Sequence, residues 1–247
     1  MARRFIVNEN DIQKNIELNE NIFEITGNEV KHIQVLRKNV GDIITINECI
    51  CKIIQMKKIS IILEKIDIAS KVGEPGTNLT LYMAMLKGDK MELVIQKAVE
   101  LGVKKIVPFL SKNVIVKLDE KGKFKKIEKF KKIANEACKQ CGRTDSVTIE
   151  SICCFSSMIN SLKNIDINIF AYEKATINLY TVMNNLKYDN KENISIIVGP
   201  EGGFDNSEAS LLKEVDTVYP ISLGGRILRA ETAAISTISI IMYELEN

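Results

Sequence analysis

From residue 79 onward this chain alternates short apolar runs with amphipathic stretches, and that rhythm leaves few architectures open. The runs fall at 79–86, 106–110, 167–171, 194–198 and 218–222, with helical patterns at 89–101, 124–141, 206–215 and 232–246 between or after them. Strands so continuously apolar need cover on both faces, and helical connections supply it. The alternation therefore predicts an α/β fold with a mainly parallel sheet. In the first of these helices Asp89 and Glu92 have the spacing of a capping-box variant, and Gly102 supplies the stop.

Upstream the rhythm differs. Residues 43–46, 50–54 and 60–63 are short and β-branched, Gly41-Asp42 reads as a turn, and a helix at 28–38 carries His32, Leu36 and Arg37. That spacing predicts a small β-rich barrel or sheet. Between the two patterns lies Lys71-Val72-Gly73-Glu74-Pro75-Gly76-Thr77, whose density of glycine and proline marks a linker. The expectation is two domains, 1–72 and 73–247, and a hydrophobic content of 45% gives each enough to bury.

Several classes are excluded. Met1-Ala2-Arg3-Arg4-Phe5 has the charges of a signal peptide without the apolar segment behind them. The longest apolar stretch, 233–243, is broken by Ser236, Thr237 and Ser239 and is too short to span a bilayer. A soluble, cytoplasmic protein with no membrane partner is expected. Of the six cysteines, only Cys138 and Cys141 have the gap used by metal or redox sites, and the single histidine, His32, is far away in sequence. A zinc site needs about four ligands, so reduced, packed thiols and no metal are expected.

Three glycine-bearing loops stand at predicted strand ends, where open α/β sheets bind ligands. They are Lys87-Gly88-Asp89-Lys90, then Gly199-Pro200-Glu201-Gly202-Gly203-Phe204, then Leu223-Gly224-Gly225-Arg226-Ile227-Leu228-Arg229-Ala230-Glu231-Thr232. None has the spacing of a dinucleotide or nucleoside-triphosphate loop. Glycine lets the backbone come close to a ligand, and Glu201 is placed to hold ribose hydroxyls or balance a cation. On spacing alone the loops are equally well read as tight turns.

Taken together, Lys87-Gly88-Asp89-Lys90-Met91-Glu92, Gln96-Lys97-Ala98-Val99-Glu100-Leu101-Gly102 and the second and third loops, with Val198 and Ala233 at their ends, resemble the RsmE family. That family comprises 16S ribosomal RNA uridine-N3 methyltransferases of the SPOUT superfamily. Arg3-Arg4-Phe5 and His32-Ile33-Gln34-Val35-Leu36-Arg37 resemble its RNA-binding, PUA-like domain. Two stretches depart from the family pattern. Glu136-Ala137-Cys138-Lys139-Gln140-Cys141-Gly142-Arg143 carries cysteines before Gly-Arg, and Ser111-Lys112-Asn113-Val114-Ile115-Val116-Lys117 stands where the family is arginine-rich.

The resemblance implies a trefoil-knotted SPOUT methyltransferase domain behind an N-terminal β-rich PUA-like barrel, acting as a homodimer on 16S ribosomal RNA or the small ribosomal subunit. It implies that S-adenosylmethionine, the methyl-donor cosubstrate, is held by Gly199, Pro200, Glu201, Gly202, Leu223, Gly224, Arg226, Ile227 and Leu228. Uridine N3 must lose a proton to become nucleophilic, so a cation beside the uracil oxygens and a proton acceptor both help. Arg229 is the candidate for the first role, the alternative being a structural arginine paired with Glu231 or Glu201. Glu231 is the candidate acceptor, the alternative being a helix-start carboxylate. His32 reads as a packing or RNA-stacking residue.

Candidate RNA contacts are Arg3, Arg4, Arg37, Lys112 and Arg143. The segment 112–132 adds nine lysines against Asp119, Glu120 and Glu128, a pattern that suits phosphate contacts or a solvated helix face. Two rival functions remain at this stage: a SPOUT enzyme of other specificity, such as ribose 2′-O methylation, and a non-catalytic RNA-binding assembly factor.

Overall fold

The computed structural model describes residues 4–14, 21–68, 76–116, 118–185 and 193–246. Arg3, Lys117 and most of the expected linker at 71–77 lie outside the described residues. The chain divides into two compact units. One comprises Met1–Glu74 with Cys138–Asp145, the other Pro75–Ala137 with Ser146–Asn247.

The first unit contains β1 (Arg4–Phe5), β2 (Ile12–Lys14), β3 (Ile22–Ile25), α1 (Asn28–Val35), β4 (Ile43–Ile46), β5 (Cys49–Met56) and β6 (Ile61–Ile68). These strands form a six-stranded sheet in the order β1-β4-β5-β6-β3-β2, antiparallel except where β1 pairs β4. Alternate residues point to one face, where Phe5, Ile25, Ile44, Ile46, Ile53, Ile61 and Leu63 bury against Val30 and Ile33 of α1. The strand expected at 60–63 continues to Ile68, because Glu64, Lys65 and Asp67 sit outside the core and need no burial. The helix expected to reach 38 ends at Val35: Arg37 adopts a left-handed φ of 53°, and its amide donates to the Gln34 carbonyl. A non-glycine residue there costs about 1 kcal/mol.

Cys138–Asp145 clusters with this unit, where Lys139 is ion-paired with Glu29.

The second unit contains β7 (Asn78–Ala84), α2 (Lys90–Glu100), β8 (Lys105–Leu110), α3 (Glu120–Cys141, its last turn clustering with the first unit), β9 (Thr148–Ile149), β10 (Cys153–Cys154), α4 (Phe155–Leu162), β11 (Ile167–Ala171), α5 (Leu179–Asn185), β12 (Asn193–Val198), α6 (Asn206–Lys213), β13 (Val218–Ile221) and α7 (Ala230–Glu246). The sheet order is β10-β8-β7-β12-β11-β13, with β9 also on β8, and every pairing is parallel. Tyr82, Phe109, Phe170 and Ile197 bury on one face with Met158 and Leu162 of α4 and Leu212 of α6. Residues of the other parity, including Leu81, Met83, Ile169 and Ile196, are fully buried, and α7 packs on β12 and α2.

Polar groups also sit in this interior, Asn168 and Ser195 among them. Asn168 donates from Nδ2 to the Leu162 carbonyl at 3.2 Å and to Thr217 Oγ1 at 2.9 Å, while Ser195 Oγ donates to its Oδ1. A fully buried amide is tolerable only when satisfied in this way.

The expected capping box at Asp89 does not form. Asp89 has φ −89° and ψ 0°, and its side chain makes no cap hydrogen bond. A capping residue needs extended backbone to aim its side chain at the first-turn amides. Asp205 has it, with φ −62° and ψ 149°, and makes the box with Glu208 at the start of α6.

Candidate functional site

β11, β12 and β13 end side by side, and their carboxyl ends open into a cavity of about 720 Å³. The size lies within the range of small-molecule sites. Its walls are Ala171, Tyr172, Glu173 and Ala175 after β11, residues 198–204 after β12, residues 221–229 after β13, Ala230 and Ala233 of α7, and Lys90 of α2. All nine residues expected around a methyl donor line this one space: Gly199, Pro200, Glu201, Gly202, Leu223, Gly224, Arg226, Ile227 and Leu228.

The loop after β12 is shaped by what lies beneath it. Phe204 packs edge-on to Phe170 and stacks on Phe109, which pins the loop to the core. A Cβ on Gly199 would stand 2.7 Å from the Phe204 ring, so the close approach of backbone and ring requires glycine. Asn113 closes the far side, donating from Nδ2 to the Gly203 carbonyl at 3.1 Å. In the loop after β13, Gly224 has φ +110°, a backbone region that side chains rarely adopt, and its amide donates to Ser222 Oγ at 3.2 Å.

Glu201 serves the walls of the cavity. Its Oε1 accepts from the Lys87 amide at 3.1 Å and from Lys90 Nζ at 3.2 Å. Burial opposes its charge, but its own amide, the Lys87 amide and the Lys90 ammonium outweigh that and hold the carboxyl below its ordinary value. The first and second glycine-bearing loops are thus tied together by the carboxylate expected to face the ligand.

Arg226 and Arg229 both line the cavity and are exposed. No ion pair of either is found among the described residues, so the alternative of Arg229 paired with Glu231 or Glu201 is not what the structure displays. Glu231 is placed differently from Arg229. Ala230 and Ala233 face the cavity, and a residue one step along a helix turns by about 100°, which takes Glu231 off that wall. Its Oε2 is buried without a partner among the described residues.

The expected RNA contacts separate. Arg4 is in β1, and Arg37 is exposed beyond the end of α1. Lys112 is occupied within the fold: its Nζ donates to Asp205 Oδ1 at 3.0 Å and to Ser207 Oγ at 2.6 Å, bracing the start of α6. Arg143, the remaining candidate RNA contact, is only 3% exposed just after the turn that ends α3. His32 meets the Phe5 ring edge-on and Glu29 at 3.3 Å, the packing role.

Sequence reasoning missed the wall after β11. Tyr172 is buried against Phe170, with Lys213 Nζ 4.7 Å from its ring centre, and Glu173 is exposed beside the Gly203 turn. No glycine marks that loop. Its only signal was its place at the end of the strand predicted at 167–171.

Residues 73–242 match the family model for an RNA methyltransferase domain. The chain is 33% identical over 234 residues to the ribosomal RNA small subunit methyltransferase E of Bacillus subtilis, covering 91% of each protein. The chain belongs to the ribosomal RNA small subunit methyltransferase E family. The corresponding protein of Mesomycoplasma hyopneumoniae is also 33% identical, over 94% of this chain and 95% of its own. Among solved structures, the family member from Neisseria gonorrhoeae bound to S-adenosylmethionine superposes with a TM-score of 0.80 at 25% identity, covering 98% and 97% of the two chains. A Legionella pneumophila protein in complex with the same molecule superposes with a TM-score of 0.82 at 26% identity, covering 98% of both chains. The parallel sheet with its antiparallel companion is thus the fold of the methyltransferase E family.

Proposed function

We propose that this chain transfers a methyl group from S-adenosylmethionine to N3 of a specific uridine in the 16S ribosomal RNA of the small ribosomal subunit. The observation that carries the reading is the convergence of three strand-end loops on one cavity, with two exposed arginines at its mouth. Its glycines offer backbone amides to a flat base, and Ala171, Pro200 and Leu223 offer apolar wall, a mixture suited to an adenosine joined to a charged amino acid. S-adenosylmethionine, when bound, supplies an electrophilic methyl group.

The chain's own residues do the rest. The loops 199–204 and 221–229 would hold the donor beside the uracil, and such positioning lowers the orientational cost of the reaction. Arg229, at the cavity and without an ion pair among the described residues, stabilises the negative charge on the uracil oxygens as the N3 proton passes to solvent water. Arg226 assists from three residues away. Glu201 holds loop to loop through Lys87 and Lys90.

The wider reading has separate supports. Residues 1–72 act as a PUA-like RNA-binding domain with Arg3, Arg4 and Arg37 on phosphates, and 73–247 as the methyltransferase domain. A trefoil knot is supported by the path of the chain, which leaves edge strand β13 and returns past β11 to a helix packed on β12 and α2. A homodimer is supported by the exposed side chains of Ile227, Tyr180 and Tyr243 in the second unit, at 89%, 69% and 68% exposure. The enzyme works in the cytoplasm, where its ribosomal substrate is assembled.

The test is transfer of labelled methyl to purified ribosomal subunits lacking native modifications. Label in the small subunit RNA supports the reading. Absence of both transfer and donor binding, measured by calorimetry, points instead to an RNA-binding assembly factor.

A further inference from the structure

Between residues 120 and 132, α3 carries seven lysines and two glutamates. Three of the lysines are spent within the fold: Lys123 on Glu120, Lys131 on Glu128 and Lys129 on Glu92. Both glutamates of the segment are consumed by those pairs, and Asp119 just before it accepts the Gly122 amide at 2.8 Å. Lys121, Lys125 and Lys132 are exposed, and no ion pair of theirs is found among the described residues. At about 100° per residue these three fall within a narrow stripe on the side of the helix opposite buried Ile127, Phe130 and Ala134.

Beside that stripe stands Phe124, a large aromatic that is 68% exposed on an otherwise polar face. Phe124, three residues before buried Ile127, borders the apolar side of α3 yet stays exposed itself. Ile115, 67% exposed, precedes the helix in the same connecting segment as Asn113, which is hydrogen-bonded to the Gly203 turn of the cavity. α3 begins seven residues after Asn113, so the segment that leads into the stripe starts at the Gly203 turn of the cavity.

We propose that Phe124, Lys121, Lys125 and Lys132 form a docking surface for a single-stranded stretch of RNA flanking the methylated base. This rests on the proposed function and adds where the substrate strand runs. A flat exposed ring gives a base a stacking platform, and cations one and several turns apart follow the phosphates of the same strand. An acidic polypeptide would satisfy the lysines but gives no reason for an exposed phenylalanine among them.

Binding of a single-stranded RNA oligonucleotide of small-subunit sequence is measured against salt for the full-length protein and two variants, Phe124→Ala and Lys121→Gln/Lys125→Gln/Lys132→Gln. Each lost phosphate contact should lower the salt slope by about 0.7, so the triple variant should lose roughly two units. Phe124→Ala should weaken binding about tenfold with the slope unchanged. Calorimetric binding of S-adenosylmethionine and the melting temperature should stay as in the unsubstituted protein. Wild-type affinity and slope in both variants would overturn the surface while leaving the proposed function standing. Competition by polyglutamate as effective as by RNA, and indifferent to Phe124, would overturn it in favour of an acidic protein partner. Failure of the unsubstituted protein to bind or methylate any RNA would overturn the proposed function, and the surface with it.

Discussion

Glu201 and Lys90, 111 positions apart in sequence, meet at 3.2 Å and join the loop after β12 to the first turn of α2. Their side chains are 24% and 36% exposed, so the pair is screened and contributes at most about 1 kcal/mol by itself. Glu201 also accepts the Lys87 amide, and Glu201→Gln should therefore cost more than Lys90→Ala, about 1–2 kcal/mol in urea unfolding. A double-mutant cycle should give a coupling of about 0.5–1 kcal/mol. Zero coupling would separate the two loops.

The same contact sets a pH dependence. The Glu201 carboxyl titrates lower in the folded protein than its ordinary value. Its contribution to stability is complete above the unfolded value near 4.3, roughly, and disappears as pH falls through the lower folded value. Glu201→Gln should flatten stability across that acidic window and leave the neutral range parallel to the unsubstituted protein.

Gly199→Ala tests the close packing under the cavity. The new methyl would lie 2.7 Å from the ring of Phe204, which is itself held by Phe109 and Phe170. The ring cannot yield freely, so a loss of about 1–3 kcal/mol is expected, together with weaker binding of S-adenosylmethionine. Unchanged stability would show that the ring has room to move.

Arg229→Ala should lower methyl transfer by about 10²–10³ with the melting temperature and donor affinity nearly unchanged, since the arginine acts on charge that develops during the reaction. Glu231→Gln should leave turnover within a few-fold, because Glu231 lies off the cavity wall.

How the chain becomes this site was legible in some residues and hidden in others. The apolar runs ending at Ala171, Val198 and Ser222 gave the strands, the last stopping one residue earlier at Ile221, and glycines at 199 and 224 marked two of the loops, because close approach and positive φ leave a compositional trace. Tyr172 and Glu173 left none, since their loop uses ordinary backbone. Arg143 read as a candidate RNA contact, and its burial comes from the packing of Cys138–Asp145 in the first unit, which local pattern does not encode. Arg229 and Glu231 are near neighbours in sequence, yet only Arg229 lines the cavity, because Glu231 falls on the turned-away side of the first turn of α7. The order of the strands, with β11 between β12 and β13, depends on long-range pairing that local pattern does not encode.

Cys154 should be the most reactive thiol of the described residues. The Ser156 hydroxyl, then that of Ser157, both 3.1 Å from its sulfur at the start of α4, bring its pKa down to about 7. Burial pushes Cys51 up to about 12. Mass-spectrometric mapping should find Cys154 alkylated first, at a rate rising with pH and levelling above about 7. Preferential labelling of Cys51 would contradict the assignment.

The most direct test of the central claim is nucleoside analysis of 16S ribosomal RNA after incubation of the protein with S-adenosylmethionine and small subunits lacking native modifications. One new nucleoside is expected, 3-methyluridine, formed by the unsubstituted protein and at least a hundredfold less by Arg229→Ala. A ribose-methylated or otherwise different product, or 3-methyluridine formed equally well without Arg229, would contradict that claim.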